Sequence, residues 1–274
     1  MKKFIRIEIQ LSTIEEAAIL MAELAENNFY AFEEDKNILT GYINETDFDE
    51  RKLTALLPDS AVYTSTIVED RNWNEEWESQ LQPIIIKDFV AIRAAFHEAI
   101  KNVEYEIIIT PKMSFGTGHH ATTYLMIDLM QKIDFINKSV LDFGTGTGIL
   151  AILAEKSGAS SVLAIDNDEW SISNAIENIE ANNSKNIIIE RRDTIAGLPC
   201  VDIILANINF NVLQENAHNF SKLSVPGTIL IISGFLAGDE ENIVSVFAKK
   251  GFIKKQKLRK EDWMALQFGY ETIF

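Results

Sequence analysis

The sequence is short of nearly everything that would cross-link, metallate or anchor a chain of its length. One cysteine, Cys200, stands among 274 residues, which excludes an internal disulfide and suits a reducing cytoplasm. A lone thiol of this kind is expected in the core, where free cysteine packs as a small apolar residue. Only four histidines are present, and the adjacent pair His119 and His120 point in different directions with no second ligand cluster, so no metal centre is expected. No apolar run approaches the roughly 20 residues of a membrane span. The N-terminus alternates Ile5, Ile7, Ile9 and Leu11 with Arg6, Glu8 and Gln10, a period from which a strand is expected and not a signal peptide.

Positive charge is scarce as well. Lys and Arg total 25 against 41 Asp and Glu, a net charge of −16, and such a field repels nucleic-acid backbones, so no direct nucleic-acid partner is expected. The basic run Lys254–Lys260 could touch RNA, but alternating charge on an exposed edge strand explains it as well, and the overall acidity favours the latter. The deficit is uneven: residues 1–80 hold 18 acidic and 7 basic side chains, a net of −11, and residues 81–274 hold 23 and 18, a net of −5. The N-terminal part is therefore either a receiver for a basic partner or a solubility device.

Apolar content of 47% is ample for two cores. The first part reads as strand 4–11, helix 13–27, strands 29–34 and 38–44, helix 47–57 and strand 61–69, the β-α-β-β-α-β order of a ferredoxin-like α+β unit. Ser12 and Thr13 would cap its first helix. Residues 70–80, polar apart from Trp73 and Trp77, read as a linking helix whose tryptophans either pack between units or line a cleft. Two strands, 84–94 and 104–110, lead to the stretch 111–123, where Gly116 and Gly118 permit a tight turn and Thr122 and Thr123 are natural helix caps. From 139 onward strands at 139–143, 161–166, 186–191, 201–207 and 227–233 alternate with helices at 148–157, 168–182, 210–223 and 237–250, before a last strand pair at 252–260 and 263–273. That alternation predicts a doubly wound, Rossmann-like α/β sheet with a terminal antiparallel pair.

The turn Asp142-Phe-Gly144-Thr-Gly146-Thr-Gly148-Ile149 follows the first of these strands and opens the first of these helices. Alternating glycines let a ligand lie against the backbone, and the helix start offers free amides to a carboxylate. The next strand ends in Asp166, whose carboxylate can accept two hydrogen bonds from a ribose diol. Ile149 stands where a dinucleotide fingerprint has its third glycine, so the turn suits S-adenosyl-L-methionine (SAM) better than a pyrophosphate. Asp142 is expected near the methionine ammonium. Ligands of open sheets bind outside the carboxyl ends of strands, and Gly144, Asp166 and Asn207 all fall at such ends.

Together with Phe115-Gly-Thr-Gly-His-His-Ala-Thr-Thr123, Asn72-Trp-Asn-Glu75 and Ala206-Asn-Ile208, the turn resembles the ribosomal protein L11 methyltransferase (PrmA) family of class I SAM-dependent methyltransferases over essentially the whole chain. The resemblance implies a substrate-recognition domain at 1–69, a linker helix at 70–80 and a SAM-binding methyltransferase domain at 81–274. It implies cofactor contacts at Thr123, Gly144, Gly146, Asp166 and Asn207, and a basic ribosomal protein, L11, as substrate. Lys112, Ala121, Thr145 and Thr147 depart from the family pattern without removing a glycine or carboxylate it needs. Methyl transfer from a sulfonium relies on positioning, so no side chain is assigned as catalytic acid or base. Asn207 is expected to orient the nucleophile or the reactive end of the cofactor. The alternatives are methylation of another basic protein, a nicotinamide-dependent dehydrogenase using the same turn, and a SAM-binding adaptor without turnover.

Overall fold

The structure is a computed structural model describing residues 3–11, 20–21, 23–25, 27–29, 31–35, 38–58, 61–69, 82–110 and 120–271. The expected Ser12–Thr13 cap, the linker helix with Trp73 and Trp77, and the segment 111–119 lie outside them. The chain divides into two compact units, Met1–Gln80 and Leu81–Phe274.

In the first unit, β1 (Lys3–Gln10), β2 (Ala31–Asp35), β3 (Ile38–Asn44) and β4 (Val62–Glu69) form an antiparallel sheet in the order β2-β3-β1-β4. The alternation of β1 buries Ile5, Ile7 and Ile9 on one face, where they meet Leu20, Leu24, Leu39, Ile43 and Leu53. Residues 20–21 and 23–25 are helical. Helix α1 (Glu50–Leu56) starts later than the expected residue 47, because Asp49 caps it by accepting from the Arg51 amide at 3.0 Å.

The second unit opens with β5 (Ile84–Ile86), β6 (Val90–Ala94) and β7 (Tyr105–Ile109), a separate sheet in the order β5-β6-β7. The single strand expected over 84–94 is instead a hairpin: Lys87, at φ 54°, turns the chain so that Ile84 pairs with Ile92. Helix α2 (Ala121–Met130) follows. The main sheet then builds from β8 (Ser139–Phe143), β9 (Ser161–Asp166), β10 (Ile187–Arg191), β11 (Ile203–Asn207), β12 (Ile229–Leu236), β13 (Phe252–Lys260) and β14 (Trp263–Tyr270). Their order is β10-β9-β8-β11-β12-β14-β13, parallel as far as β12 and antiparallel beyond.

Helices α3 (Ile149–Lys156), α4 (Glu169–Ala181), α5 (Phe210–Lys222) and α6 (Glu240–Ala248) connect the strands, α6 after a short 3-10 turn at Ala237–Asp239 where a longer helix was expected. The strands read as near-continuous apolar runs because both faces are covered. Val140, Ile203 and Leu205 pack with α2 and α3 on one side, and Leu141, Ile204 and Ala206 with α5 and α6 on the other. The direction of strand addition reverses between β8 and β11, which opens a crevice at their carboxyl ends. Strand β13 is an edge, and its cations are held: Lys254 and Lys257 on Glu240, Lys255 on Glu271.

Candidate functional site

The turn after β8 is bound to the neighbouring strand by its own backbone. Gly144 N and Thr145 N donate to Ile165 O at 2.9 and 3.0 Å, and Gly146 N donates to Asp166 Oδ2 at 2.9 Å. Gly144, Gly146 and Gly148 sit at φ 75°, 54° and 78°, left-handed values that other residues adopt at a cost. Space is equally restrictive at Gly144, where a Cβ would fall 2.3 Å from Ile208 Cγ2. Gly148 then serves as the N-cap of α3 and contributes no side-chain cap; the Ala151 amide is taken by the buried Asp142 carboxyl, which leaves the Ile149 and Leu150 amides at the positive end of the helix.

Asp166 ends β9. Its Oδ1 accepts from the Asp168 amide at 3.0 Å and its Oδ2 from Gly146, which leaves lone pairs on both oxygens. Asn207 ends β11, and its Nδ2 lies 3.5 Å from Thr123 Oγ1 in the first turn of α2, the outer limit of a hydrogen bond. A cavity of about 610 Å³ is lined by Thr123, Gly144, Gly146, Asp166 and Asn207 together. All five residues singled out in the sequence therefore meet in one place, across 85 positions of chain, and the volume lies within the range of small-molecule sites.

Three expectations are corrected. Thr122 and Thr123 do not cap α2; His120 does, its Nδ1 accepting from the Thr122 amide at 3.3 Å and lying 2.8 Å from Thr122 Oγ1, because the threonines are already inside the helix and buried. Asp142 is not at the cavity wall. It is fully buried below the turn, where its Oδ2 accepts from Thr145 Oγ1 at 2.6 Å and burial, with Asp166 nearby, pushes its carboxyl up to about 7. Cys200 is exposed; it lies in the irregular connection before β11, where its neighbours Leu198 and Val201 pack on the core instead, its Sγ 3.6 Å from Lys222 O.

Other wall residues were not anticipated. Arg192 and Asp193 follow β10 and line the cavity; the strand-end rule that singled out Asp166 and Asn207 applies equally to them. Gly234 interrupts the apolar run of β12, a signal of a bulge or close backbone approach. It sits at φ 97°, where a Cβ would fall 2.2 Å from Ile208 O, and the register of β12 against β14 shifts there. Trp263 lines the cavity and meets His120, ring centroids 4.7 Å apart in a T-shaped contact, and no sequence pattern announces that pairing. Among the described residues, no group of three or more His, Cys, Asp or Glu side chains comes together, and no helix is long and apolar enough to cross a membrane.

The wall suits SAM: a carboxylate for a diol, free helix amides for an amino-acid carboxylate, and an apolar lining from Phe143, Ile149, Leu150 and Ile208. Ile149, at the position of the missing third glycine, is itself buried.

Comparison with known proteins agrees with this geometry. Residues 5–270 match the family described as Ribosomal protein L11 methyltransferase (PrmA). Proteins of that name from Bacteroides fragilis and Bacteroides thetaiotaomicron are each 40% identical, over 259 residues (91% of this chain, 92% of the relative) and 261 residues (92% and 93%). A crystal structure of ribosomal protein L11 methylase from Lactobacillus delbrueckii subsp. bulgaricus superposes with a TM-score of 0.65 at 27% identity, covering 70% of this chain and all of that one.

Proposed function

The chain belongs to the ribosomal protein L11 methyltransferase family, a methyltransferase family using SAM, and on that premise we propose that it methylates amino groups of ribosomal protein L11, lysine side chains and the N-terminal amine among them, in the cytoplasm. One observation carries the reading: the strand ends bearing Gly144, Asp166 and Asn207, with Thr123 on α2, open into a single cavity. In this proposal Asp166 holds the ribose hydroxyls, the amides at the start of α3 and the turn at Gly144 and Gly146 receive the amino-acid end, and Asn207 and Thr123 border the reacting methyl. The acidic unit at 1–69 receives the basic substrate, the segment 70–80 links the units, and 81–274 performs the transfer.

SAM supplies an electrophilic methyl on a sulfonium. The protein's share is to deliver an amine lone pair in line with the S–CH₃ bond. A lysine amine of ordinary pKa ~10.4 is mostly protonated near neutral pH, and reaching the neutral form costs roughly 4–5 kcal/mol. An apolar wall lowers that cost by disfavouring the ammonium. The Asn207 amide can accept from the amine while its NH₂ faces Thr123, so it orients the nucleophile without taking its proton.

The test is methyl transfer from labelled SAM to ribosomal proteins of a strain lacking this enzyme. Label should appear on lysines of L11, and Asn207→Ala should cut kcat by about tenfold or more with a smaller change in SAM affinity. Label on a different protein, or an Asn207→Ala enzyme at full speed, contradicts the assignment.

A further inference from the structure

Helix α4 buries a polar face. Its buried residues are Asn174, Ala175 and Asn178, both asparagines fully so, and its C-cap is Asn182. Buried amides need partners, and these find them on the outer edge of β7, the edge that does not pair with β6, and on Thr110 just past its end. Asn182 Oδ1 accepts from Ile108 N at 3.0 Å and its Nδ2 donates to Ile108 O at 2.6 Å. Asn178 Oδ1 accepts from Thr110 N at 2.7 Å, and Asn174 Nδ2 donates to Thr110 O at 3.2 Å.

The spacing explains the match. Residues four apart on a helix rise by about 6.0 Å, and residues two apart on a strand by about 6.6 Å. An asparagine every fourth residue can therefore follow a strand edge much as a neighbouring strand would, and the edge is protected without a further strand.

Asn178 does one thing more. Its Nδ2 donates to Thr147 O at 2.8 Å, the carbonyl between Gly146 and Gly148 in the turn that lines the cavity. One buried side-chain amide thus joins the end of β7 to the glycine turn, its acceptor used on the first and its NH₂ donating to the second and, at 3.3 Å, to Asn174 Oδ1. A carboxylate would keep the first bond and set two acceptors against each other at the second. We infer that Asn178 is a positioning residue for cofactor binding, coupling order at the edge of β7 to the conformation of the glycine turn. Asn182 belongs to the same ladder but does not touch the turn, so it separates this role from a purely structural one.

Titration calorimetry with SAM on the wild type, Asn178→Asp and Asn182→Ala tests the coupling. Asn178→Asp should weaken binding by about tenfold or more, while Asn182→Ala stays within about twofold although it loses both bonds to Ile108 and the one to Asn178 O. An Asn178→Asp protein of unchanged affinity, or an Asn182→Ala protein weakened as much, overturns the inference. Should Asn178→Asp not fold, hydrogen exchange on the wild type decides: SAM should slow exchange of the Thr110 amide by about tenfold or more, and an unaltered rate there defeats the proposal. The inference rests on SAM as the cofactor. A wild type that binds no SAM removes that premise and the inference with it, whereas equal affinities in wild type and Asn178→Asp remove the inference alone.

Discussion

Asp142 is the residue whose environment departs furthest from what its place in the motif suggests. A carboxyl enclosed by protein is stabilised in its neutral form, even with the Thr145 hydroxyl and the Ala151 amide bonded to it, and its pKa of about 7 lies above the ordinary value of about 3.9. Between those two values the folded protein holds a proton that the unfolded chain has released. Unfolding therefore becomes easier as pH rises across that window: the contribution is full below pH about 4 and is lost on passing pH about 7. Its upper bound is roughly 4 kcal/mol, from three pKa units at about 1.4 kcal/mol each. Replacing Asp142 with Asn removes the titration, so the wild type should lose stability relative to Asp142→Asn as pH is raised from about 4 to about 7, with the gap level beyond. Urea unfolding of both proteins across that range checks it, and parallel curves would place the proton elsewhere.

At the scale of elements, the site depends on how closely the Ile208 backbone fits between the turn after β8 and the bulge of β12. Gly144 and Gly234 both face Ile208, but differently: a Cβ at 144 would strike its side chain, and one at 234 its carbonyl. Both glycines are in the left-handed region, so alanine at either should cost roughly 2–4 kcal/mol from backbone strain and overpacking combined. The two should separate in a double-mutant cycle. Ile208→Ala removes the atom that Gly144→Ala would strike, and should recover about 1 kcal/mol or more of that loss. It leaves the carbonyl facing residue 234 in place, so the Gly234→Ala loss should be unrelieved. Equal coupling in both cycles would contradict this account of the contact.

For the whole molecule the dominant quantity is charge. The net is −11 over residues 1–80 against −5 over the rest; under the proposed function the N-terminal unit draws its basic substrate by long-range attraction, which is screened within about 8–10 Å at physiological salt. Raising NaCl from about 50 to about 300 mM should therefore increase KM for the protein substrate several-fold and leave kcat and SAM affinity nearly unchanged. A salt-insensitive KM would mean that the acidic unit serves solubility only.

Local pattern was sufficient for much of this protein. Period-two alternation announced β1, near-continuous apolar runs announced β8, β9, β11 and β12, and the glycine turn, Asp166 and Asn207 could be found because ligand groups gather at strand ends, a rule that needs only the strands to be recognised. The likeness to a known family added Thr123, which propensity treated as a helix cap. Contacts between distant segments were not legible, because they depend on which surfaces meet: the fit of Ile208 against two glycines, the burial of Asp142, the pairing of Trp263 with His120, and the exposure of Cys200. The asparagines of α4 show the difference. Their four-residue spacing is plain in the sequence, but only packing against β7 turns that polar stripe inward, because a buried amide is stable only where a strand edge and a turn supply its partners.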